Sequence, residues 1–495
     1  MTTAPPLRTG PSDREVARGL GWSGVTYLAK SALQFLVGVA LARLLPPSAF
    51  GAVAMVLLFS QLALLFTDAG LRTALVQRSD LSPEHLSSAF WASLVGGLAV
   101  LALFWAGAPA LPRIFGIDEL TSLTRAIAFT FPLSSLGVVP TALLSRRLAV
   151  GKIGSAEITG LLAGGAAGLW VASRGGGAWS LVAQILTQAA FESMALLLLA
   201  RWRPRLSWDG KALRSLLPVS ANFLGFSVFN YFVRNVDNFL VGRYAGASAL
   251  GLYARAYSLM MLPLTHLSRV VGSVLFPALA RLQDDPARSK QLYLRALQTI
   301  ALVSFPATIG LFVTADEFVA VVFGQSWLGV VPLLRVLSVV SLTQSIGTTV
   351  GWIYQSQGRT DTMFRWALFT SIPTLVAFGI GIQWGAFGVA VAYAVRSILL
   401  VYPNHAIPGR LIGLRFIEVL RATRGILLCA AIMGVSVIAI GLLLPTMPNA
   451  ALLGLRVSAG VSIYGLLLKV VRPQGLSAAL GLLIRPASQS TTAAT

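Results

Sequence analysis

Long apolar runs recur along this sequence, and they constrain the fold more than any other feature. Between residues 19 and 468 the runs follow one another with only short polar breaks. Each run is long enough for a helix to cross the ~30 Å hydrocarbon layer of a bilayer. Only 11% of the residues are charged, whereas soluble domains carry about 25%. The sequence therefore predicts an all-α polytopic membrane protein.

Charged residues, prolines and glycines mark the ends of the runs and predict fourteen membrane-spanning helices, which we number span 1 to span 14. The spans cover residues 19–44, 47–68, 85–109, 119–144, 150–173, 177–199, 215–242, 248–280, 297–315, 329–353, 364–384, 386–402, 424–444 and 450–468. An even number of spans places both termini on the same side of the membrane.

The basic residues alternate along the chain in a way that predicts the orientation of the spans. With residues 1–18 in the cytoplasm, the segments on that side hold 26 of the 38 Lys and Arg residues, and the opposite segments hold four. Cytoplasmic loops of membrane proteins are enriched in these residues, so both termini are predicted to be cytoplasmic. The same bias explains the net charge of +21 without a nucleic-acid partner, because no separate basic domain exists.

Three pairs of short motifs recur about 200 residues apart and predict an internal repeat. In the first pair, RLLPPSAFG at the end of span 1 corresponds to RYAGASALG at the end of span 7. The pairs occupy residues 43–51 and 243–251, 125–137 and 335–347, and 177–181 and 385–389. An offset of six spans preserves the direction in which the chain enters the membrane. The sequence thus predicts two parallel six-helix bundles, an architecture of alternating-access transporters.

The repeat and the linkers predict the domain organisation. The predicted segments are an N-terminal tail (1–18), a first bundle (19–200), a basic cytoplasmic linker (201–214), a second bundle (215–402), a linker (403–423), spans 13 and 14 (424–470) and a cytoplasmic tail (471–495). No apolar segment precedes residue 19, so no cleavable signal peptide is expected. One cysteine, Cys429, and three histidines are too few for a zinc or iron–sulfur site. We expect no metal and no cofactor.

Polar side chains recur on one face of spans 1, 7 and 8. Charged groups inside the hydrocarbon layer are functional candidates by default, so we predict that these faces line a cationic central cavity. The substrate-binding candidates are Lys30, Gln34, Asn230, Arg234, Arg255 and Arg269, and the ion-coupling candidates are Asp237 and His266. Ser23, Tyr27 and Ser227 share the same faces.

Structural alternatives to these roles stay open. Arg234 and Asp237 are spaced for a local i, i+3 pair, Arg255 is placed to reach the lipid headgroups, and His266 is also explained as a hydrogen-bonded structural residue. Arg125 and Arg335 lie near helix ends, where structural and functional roles are equally favoured.

Other polar and glycine positions favour a structural role. Three acids near the inner ends of their spans are expected to face basic loops, and three glycines spaced four apart on span 5 predict helix packing. The acids are Asp68, Glu157 and Glu192, and the glycines are Gly160, Gly164 and Gly168.

The pattern resembles the Wzx-type polysaccharide flippases of the multidrug/oligosaccharidyl-lipid/polysaccharide exporter superfamily. The resemblance covers roughly residues 18–440. It rests on four segments: ARLLPPSAFGAVAM (42–55), TDAGLRTALVQR (67–78), FPALARLQDD (276–285) and VVFGQSW (321–327). The resemblance implies a flippase of the bacterial inner membrane, and not an enzyme, that moves undecaprenyl-diphosphate-linked oligosaccharides across the bilayer. It implies a lipid-linked oligosaccharide as substrate, with a glycan polymerase and a chain-length regulator as possible partners.

Related lipid flippases hold the diphosphate on basic residues of spans 1, 2, 7 and 8, which the resemblance carries to Lys30, Arg234, Arg255 and Arg269. Span 2 departs from that pattern, because Gln61 is the polar residue within it. Three alternatives remain: a drug/cation antiporter of the same superfamily, which should have an acidic cavity; a membrane glycan polymerase, which should have a large loop or a carboxylate site; and an inactive scaffold of the same fold.

Overall fold

A computed structural model gives the fold of the chain. It describes residues 13–68, 70–444 and 447–471, without the side chains of residues 13–25, 27, 217–223, 226, 264–266, 269–270 and 273–274. In these ranges the chain forms no β-strand, and ten helical stretches are long and apolar enough to cross a membrane. The prediction of an all-α polytopic membrane protein is confirmed.

Every predicted span coincides with helical structure. Spans 1, 2, 3, 5 and 6 are the helices Asp13–Leu44, Pro47–Asp68, Pro83–Gly107, Val150–Ser173 and Trp179–Ala200. Spans 9, 11, 12, 13 and 14 are the helices Pro286–Val313, Thr360–Gly381, Gly385–Gly409, Phe416–Leu443 and Asn449–Val471. Short helices at Leu71–Gln77, Ala110–Phe115 and Ala315–Val322, and 3-10 turns at Gln325–Trp327, Ile382–Trp384 and Arg410–Ile412, connect them.

Two helices begin well before the apolar runs that predicted them. Span 9 begins at Pro286, where the Asp285 side chain accepts a hydrogen bond from the backbone N–H of Arg288. Span 13 begins at Phe416, so the segment 403–423 is largely helical rather than an extended linker. Capping groups and a first-turn proline start a helix without apolar side chains, so hydropathy alone places these starts too late.

Spans 4 and 10 are broken at corresponding places. Span 4 consists of the helices Leu120–Ile127, Thr130–Ser135 and Val138–Arg146. Span 10 consists of the helices Val330–Gly347 and Val350–Ser356. Under the predicted offset of 210 residues, the break after Ser135 falls close to the break after Gly347. The two repeats therefore share this irregularity as well as sequence motifs.

Spans 7 and 8 form one long helical segment, Gly210–Arg281, with a break at Gly246. The backbone of Gly246 has φ 85°, a left-handed value that glycine adopts without the clash that a β-carbon would cause. The connection between the two spans is therefore a single-residue kink rather than the short loop that was predicted.

The chain divides into two compact units, residues 1–251 and 252–495. Span 7 packs within the first unit: the Tyr231 hydroxyl donates to the Leu58 carbonyl at 2.7 Å, and the Phe239 ring contacts Phe59 and Phe115. This division by contacts differs from the repeat boundary predicted at 201–214, because packing does not follow the repeat at span 7.

The start of span 2 and the start of span 8 correspond to each other in the predicted repeat. Their backbones lie in very close contact inside the first unit. A β-carbon at Gly51 would overlap the carbonyl oxygen of Ala247, and one at Gly251 would overlap the carbonyl oxygen of Pro47. Under the 200-residue offset, Gly51 corresponds to Gly251 and Pro47 to Ala247. The repeat thus produces a reciprocal crossing that only glycine permits.

The predicted linker 201–214 is fixed to span 3. The Trp91 indole donates to the Arg205 carbonyl at 2.8 Å, and the backbone N–H of Asp209 donates to Ser88 at 2.8 Å. In the second unit, spans 9, 10 and 13 enclose an apolar core around Tyr293 and Leu297. In each unit, contacts within that unit therefore hold the helices that carry the residues described below.

Candidate functional site

An ion pair joins spans 1 and 5 of the first unit. The Lys30 ammonium lies 2.8 Å from a Glu157 carboxylate oxygen, and both side chains are 30% exposed. A β-carbon added at Gly165 would lie only 2.9 Å from Val37, so the two helices also pack closely a few turns away from the ion pair. The expectation that Glu157 faces a basic loop is wrong, since close helix packing places it against Lys30 instead. Lys30 itself is paired with an acid.

Three glycines hold span 6 against span 5. A β-carbon at Gly160 would lie 2.8 Å from the Gln188 carbonyl oxygen, and one at Gly164 would lie 2.6 Å from the Gln184 carbonyl oxygen. At Gly168 the nearest atom is the β-carbon of Gln184, at 2.9 Å. The predicted packing role of these glycines is confirmed.

The same packing brings a second acid to the ion pair. Glu192 on span 6 lies against Gly160, one turn from Glu157 along span 5. Glu192 and Gln188, one turn apart on span 6, both pack against span 5 beside the Lys30–Glu157 pair. The expectation that Glu192 faces a basic loop is also wrong. One base and two acids from three helices meet at this place.

A cavity of about 630 Å³ lies between spans 2, 4, 6 and 7 of the first unit. Asp68 and Arg72, at its edge, form an ion pair with an N–O distance of 3.4 Å. The charged and polar groups that line the cavity include Gln61, Asp68, Arg72, Gln188, Glu192 and Ser227. The cavity is therefore polar on several sides, and the side chain of Glu192 connects it to the Lys30–Glu157 pair.

The remaining candidates of spans 1 and 7 differ in exposure. Gln34, Asn230 and Arg234 are exposed. Asp237, one turn after Arg234, is only 4% exposed and accepts a hydrogen bond from the backbone N–H of Asn238 at 2.8 Å. The amides and the guanidinium are therefore accessible to a ligand, whereas the ion-coupling candidate Asp237 is buried in the first unit.

Arg255 lies in the second unit against aromatic rings. Its guanidinium carbon is 5.3 Å from the ring centre of Phe323 and 5.4 Å from that of Trp327, and both rings are buried. These are cation–π distances. Span 8 also carries His266 and Arg269, whose side chains lie outside the described residues.

Two charged residues inside spans were overlooked in the sequence. Arg456 on span 14 donates to Glu317 at 2.7 Å, and these side chains are only 10% and 13% exposed. Arg396 on span 12 lines an apolar cavity beside Trp384 and Phe387, and its Nε atom has no hydrogen-bond partner within the described part of the chain. A single charge within a long apolar run was the signal that could have identified both.

The two arginines matched by the repeat have structural partners. The Arg125 guanidinium lies 4.4 Å from the ring centre of Trp105 in the first unit. Arg335 forms an ion pair with Asp316 in the second unit. These contacts favour the structural alternative for both. No cluster of three or more His, Cys, Asp or Glu residues that could hold a metal is found among the described residues.

Comparison with solved structures identifies the fold. Lipid II flippase MurJ in an inward closed conformation superposes with a TM-score of 0.73 at 14% identity, over 90% of this chain and 98% of MurJ. An inward-facing multidrug resistance MATE family transporter of the MOP superfamily superposes with a TM-score of 0.62 at 13% identity, over 79% of this chain and 98% of that transporter. The protein has the fold of these multi-pass helical transporters.

Comparison with known sequences identifies the family. The polysaccharide biosynthesis protein family matches residues 40–332, more than half of the chain, and the protein belongs to this family. Lipopolysaccharide biosynthesis protein WzxC of Escherichia coli is 27% identical over 77% of this chain and 78% of WzxC. Succinoglycan biosynthesis transport protein ExoT of Rhizobium meliloti is 27% identical over 78% of this chain and 79% of ExoT. The resemblance to Wzx-type proteins is confirmed.

Proposed function

We propose that this protein is a flippase that moves an undecaprenyl-diphosphate-linked oligosaccharide, a precursor of a surface polysaccharide, between the two leaflets of the membrane. One observation carries the proposal: the chain belongs to a polysaccharide biosynthesis family, in which its relative ExoT is named a transport protein. The MurJ-like fold supports the same conclusion. The lipid carrier comes from the resemblance stated above.

The exposed side chains of the first unit suit such a headgroup. The Arg234 guanidinium presents paired N–H donors that match a diphosphate. Gln34 and Asn230 carry amides, which can both donate to and accept from sugar hydroxyls. We assign the diphosphate to Arg234 first, with Lys30 joining when it leaves Glu157. Arg255 and Arg269 remain candidates in the second unit.

Transport by this route requires no covalent step. The headgroup crosses while the polyprenyl tail stays in lipid, and the repeats alternate between states open to either side. We therefore propose a transporter rather than an enzyme, without a cofactor. Asp237 and His266 remain the predicted ion-coupling residues. A glycan polymerase and a chain-length regulator are the proposed partners, because the flipped precursor must be polymerised.

The alternation of basic residues supports a location in the bacterial inner membrane with both termini in the cytoplasm. Single cysteines introduced at Ser248 and Asn449, in a Cys429→Ala background, should react with an impermeant thiol reagent in intact cells. Cysteines at Gln291 and Thr360 should react only after permeabilisation. All four positions are exposed. Labelling of Gln291→Cys in intact cells would contradict the orientation.

Deletion of the gene tests the function directly. We expect surface polysaccharide to be lost and a lipid-linked oligosaccharide to accumulate on the inner leaflet, where membrane-impermeant glycan-modifying enzymes cannot reach it in intact cells. The plasmid-borne wild-type chain should restore export. A deletion strain with normal polysaccharide and increased sensitivity to cationic drugs would instead support the antiporter alternative. The similarity of the fold to a MATE transporter is consistent with that alternative.

A further inference from the structure

The cluster of Lys30, Glu157 and Glu192 contains two acids and one base. Lys30 pairs with Glu157 at 2.8 Å, so one positive charge already meets one negative charge. Glu192 adds a second carboxyl group, which lies against Gly160, one turn from Glu157 along span 5. With both acids ionised, the cluster carries a net charge of −1 inside the span region of the first unit.

Within the described lining of the adjoining cavity, no second cation is available to this cluster. The described lining of the adjoining cavity contains two other charged side chains, Asp68 and Arg72, and these pair with each other. The polar lining from spans 4 and 7 is uncharged, as at Thr130 and Ser227. The surplus negative charge therefore has to be met by something other than an arginine or a lysine of the cavity.

A proton is the simplest species that removes the surplus. Two nearby carboxyl groups that share one cation do not both ionise easily in a poorly solvated site. Glu157 has the direct contact to Lys30, whereas Glu192 lies one turn from the neutral amide of Gln188, a group that can accept from a carboxylic acid as well as donate to a carboxylate. Glu192 also lines the polar cavity, which provides a route for proton exchange.

We propose that Glu192 is a proton-binding site, and that its proton favours the binding of an anionic headgroup at Lys30. Protonation converts the Glu192 carboxylate to a carboxylic acid and brings the cluster to net zero charge. Lys30 then faces one carboxylate instead of two, and a diphosphate competes for it more easily. By linkage, the bound diphosphate favours the protonated state to the same extent.

The proton site stands on the geometry of the cluster, whereas its coupling to a headgroup rests on the proposed flippase function. A typical coupling between two sites changes affinity by about fivefold or more. We therefore expect the wild-type protein to bind a prenyl diphosphate at least about fivefold more tightly at the acidic end of the titration than at the neutral end.

Infrared difference spectroscopy of the full chain in lipid nanodiscs tests the proton site without a substrate. As the pH falls from about 8 to about 6, which is above the range in which ordinary exposed Glu side chains titrate, a carboxylic acid carbonyl band should appear. Glu192→Gln should remove this band. Lys30→Gln should enlarge it, because neither acid then has a cationic partner. Glu119→Gln, at an exposed position, is the control and should leave the band unchanged. A full-size band in a folded Glu192→Gln protein would overturn the proposal.

Geranylgeranyl diphosphate binding to the same nanodiscs tests the coupling. Glu192→Gln should bind the probe tightly at both pH values, because the amide imitates the protonated acid. Equal affinity of the wild-type protein at both pH values would overturn the coupling. A Glu192-dependent band in a protein whose deletion leaves polysaccharide export intact would contradict the proposed function and leave the proton site standing. Loss of export on deletion, in a protein without a Glu192-dependent band, would support the proposed function and contradict the proton site.

Discussion

Several charged groups within the spans of the two units have contrasting surroundings. In the second unit, Arg456 pairs with Glu317, and Arg255 lies over two buried aromatic rings. In the first unit, Lys30 shares its charge between two acids, and Arg234 is exposed. Arg456 and Arg255 therefore contribute to packing within the second unit, whereas Glu192 of the first unit lines a cavity and Arg234 of the first unit is exposed.

The polar residues of spans 1 and 7, which both lie in the first unit, show that matching positions of the predicted repeat do not carry the same chemistry. Under the 200-residue offset, Lys30 corresponds to Asn230 and Gln34 to Arg234. In both pairs, a charged residue in one repeat corresponds to an amide residue in the other. Equivalent helices thus present different groups, which a carrier of an asymmetric headgroup requires.

The largest effect is expected from breaking the buried pair of the second unit. Arg456→Leu should lower the free energy of unfolding by about 3–5 kcal/mol, because Glu317 is left as an uncompensated buried charge. Thermal unfolding in detergent measures the loss. The double variant Arg456→Leu/Glu317→Leu should recover much of it, since replacing both partners leaves no unpaired charge. A double variant as unstable as the single one would contradict this role.

The exposed arginine of the first unit should matter for transport rather than for stability. Arg234→Ala should abolish surface polysaccharide at a normal protein level, because one lost charge-assisted bond of about 1.5–3 kcal/mol lowers affinity by roughly 10- to 100-fold. Arg234→Lys should retain partial export, since the charge survives without the planar fork. Polysaccharide assays with membrane immunoblots measure both. Arg359→Ala, at an exposed position, is the control, and normal export by Arg234→Ala would refute the assignment.

Substitution at the close backbone contact formed by Gly51 and Gly251 in the first unit should have the next largest effect. Gly51→Ala and Gly251→Ala should each lower the free energy of unfolding by about 1–3 kcal/mol, because each new methyl group meets a backbone carbonyl that cannot rotate away. Gly310→Ala is the matched control. Its β-carbon would have no neighbour within 4 Å, so its melting temperature should not fall. A similar loss in all three variants would show that the crossing has no special role.

The smallest effect is expected at Arg255 of the second unit. Arg255→Gln should lower the free energy of unfolding by only about 1 kcal/mol, the range of a cation–π contact, and Arg255→Lys should lower it less. Melting curves with and without geranylgeranyl diphosphate distinguish packing from binding. If Arg255→Gln abolished the stabilisation by this probe, the second unit would share the substrate site, and the contrast between the units would be weaker.

The sequence was most reliable where a single helix carries the information. The packing of the span 5 glycines and the all-helical, membrane-spanning character of the chain were predicted from local pattern, because apolar length and small-residue spacing act within one helix. It was less reliable for partners: Glu157 and Glu192 were expected to face loops, and Arg396 and Arg456 were not singled out. Each of these depends on how one helix is rotated against another that lies far away in the chain.

The sequence by itself therefore determined that this protein is a polytopic helical membrane protein of the polysaccharide biosynthesis family, and the internal repeat stays a prediction. Hydrophobic length and motif order are properties of the chain alone. Only the tertiary structure decided that Lys30 meets Glu157, 127 positions away, and that Glu192 joins them. The physical reason is that a charge pair requires a few ångströms of separation, and close packing at glycines such as Gly160 sets that distance between helices.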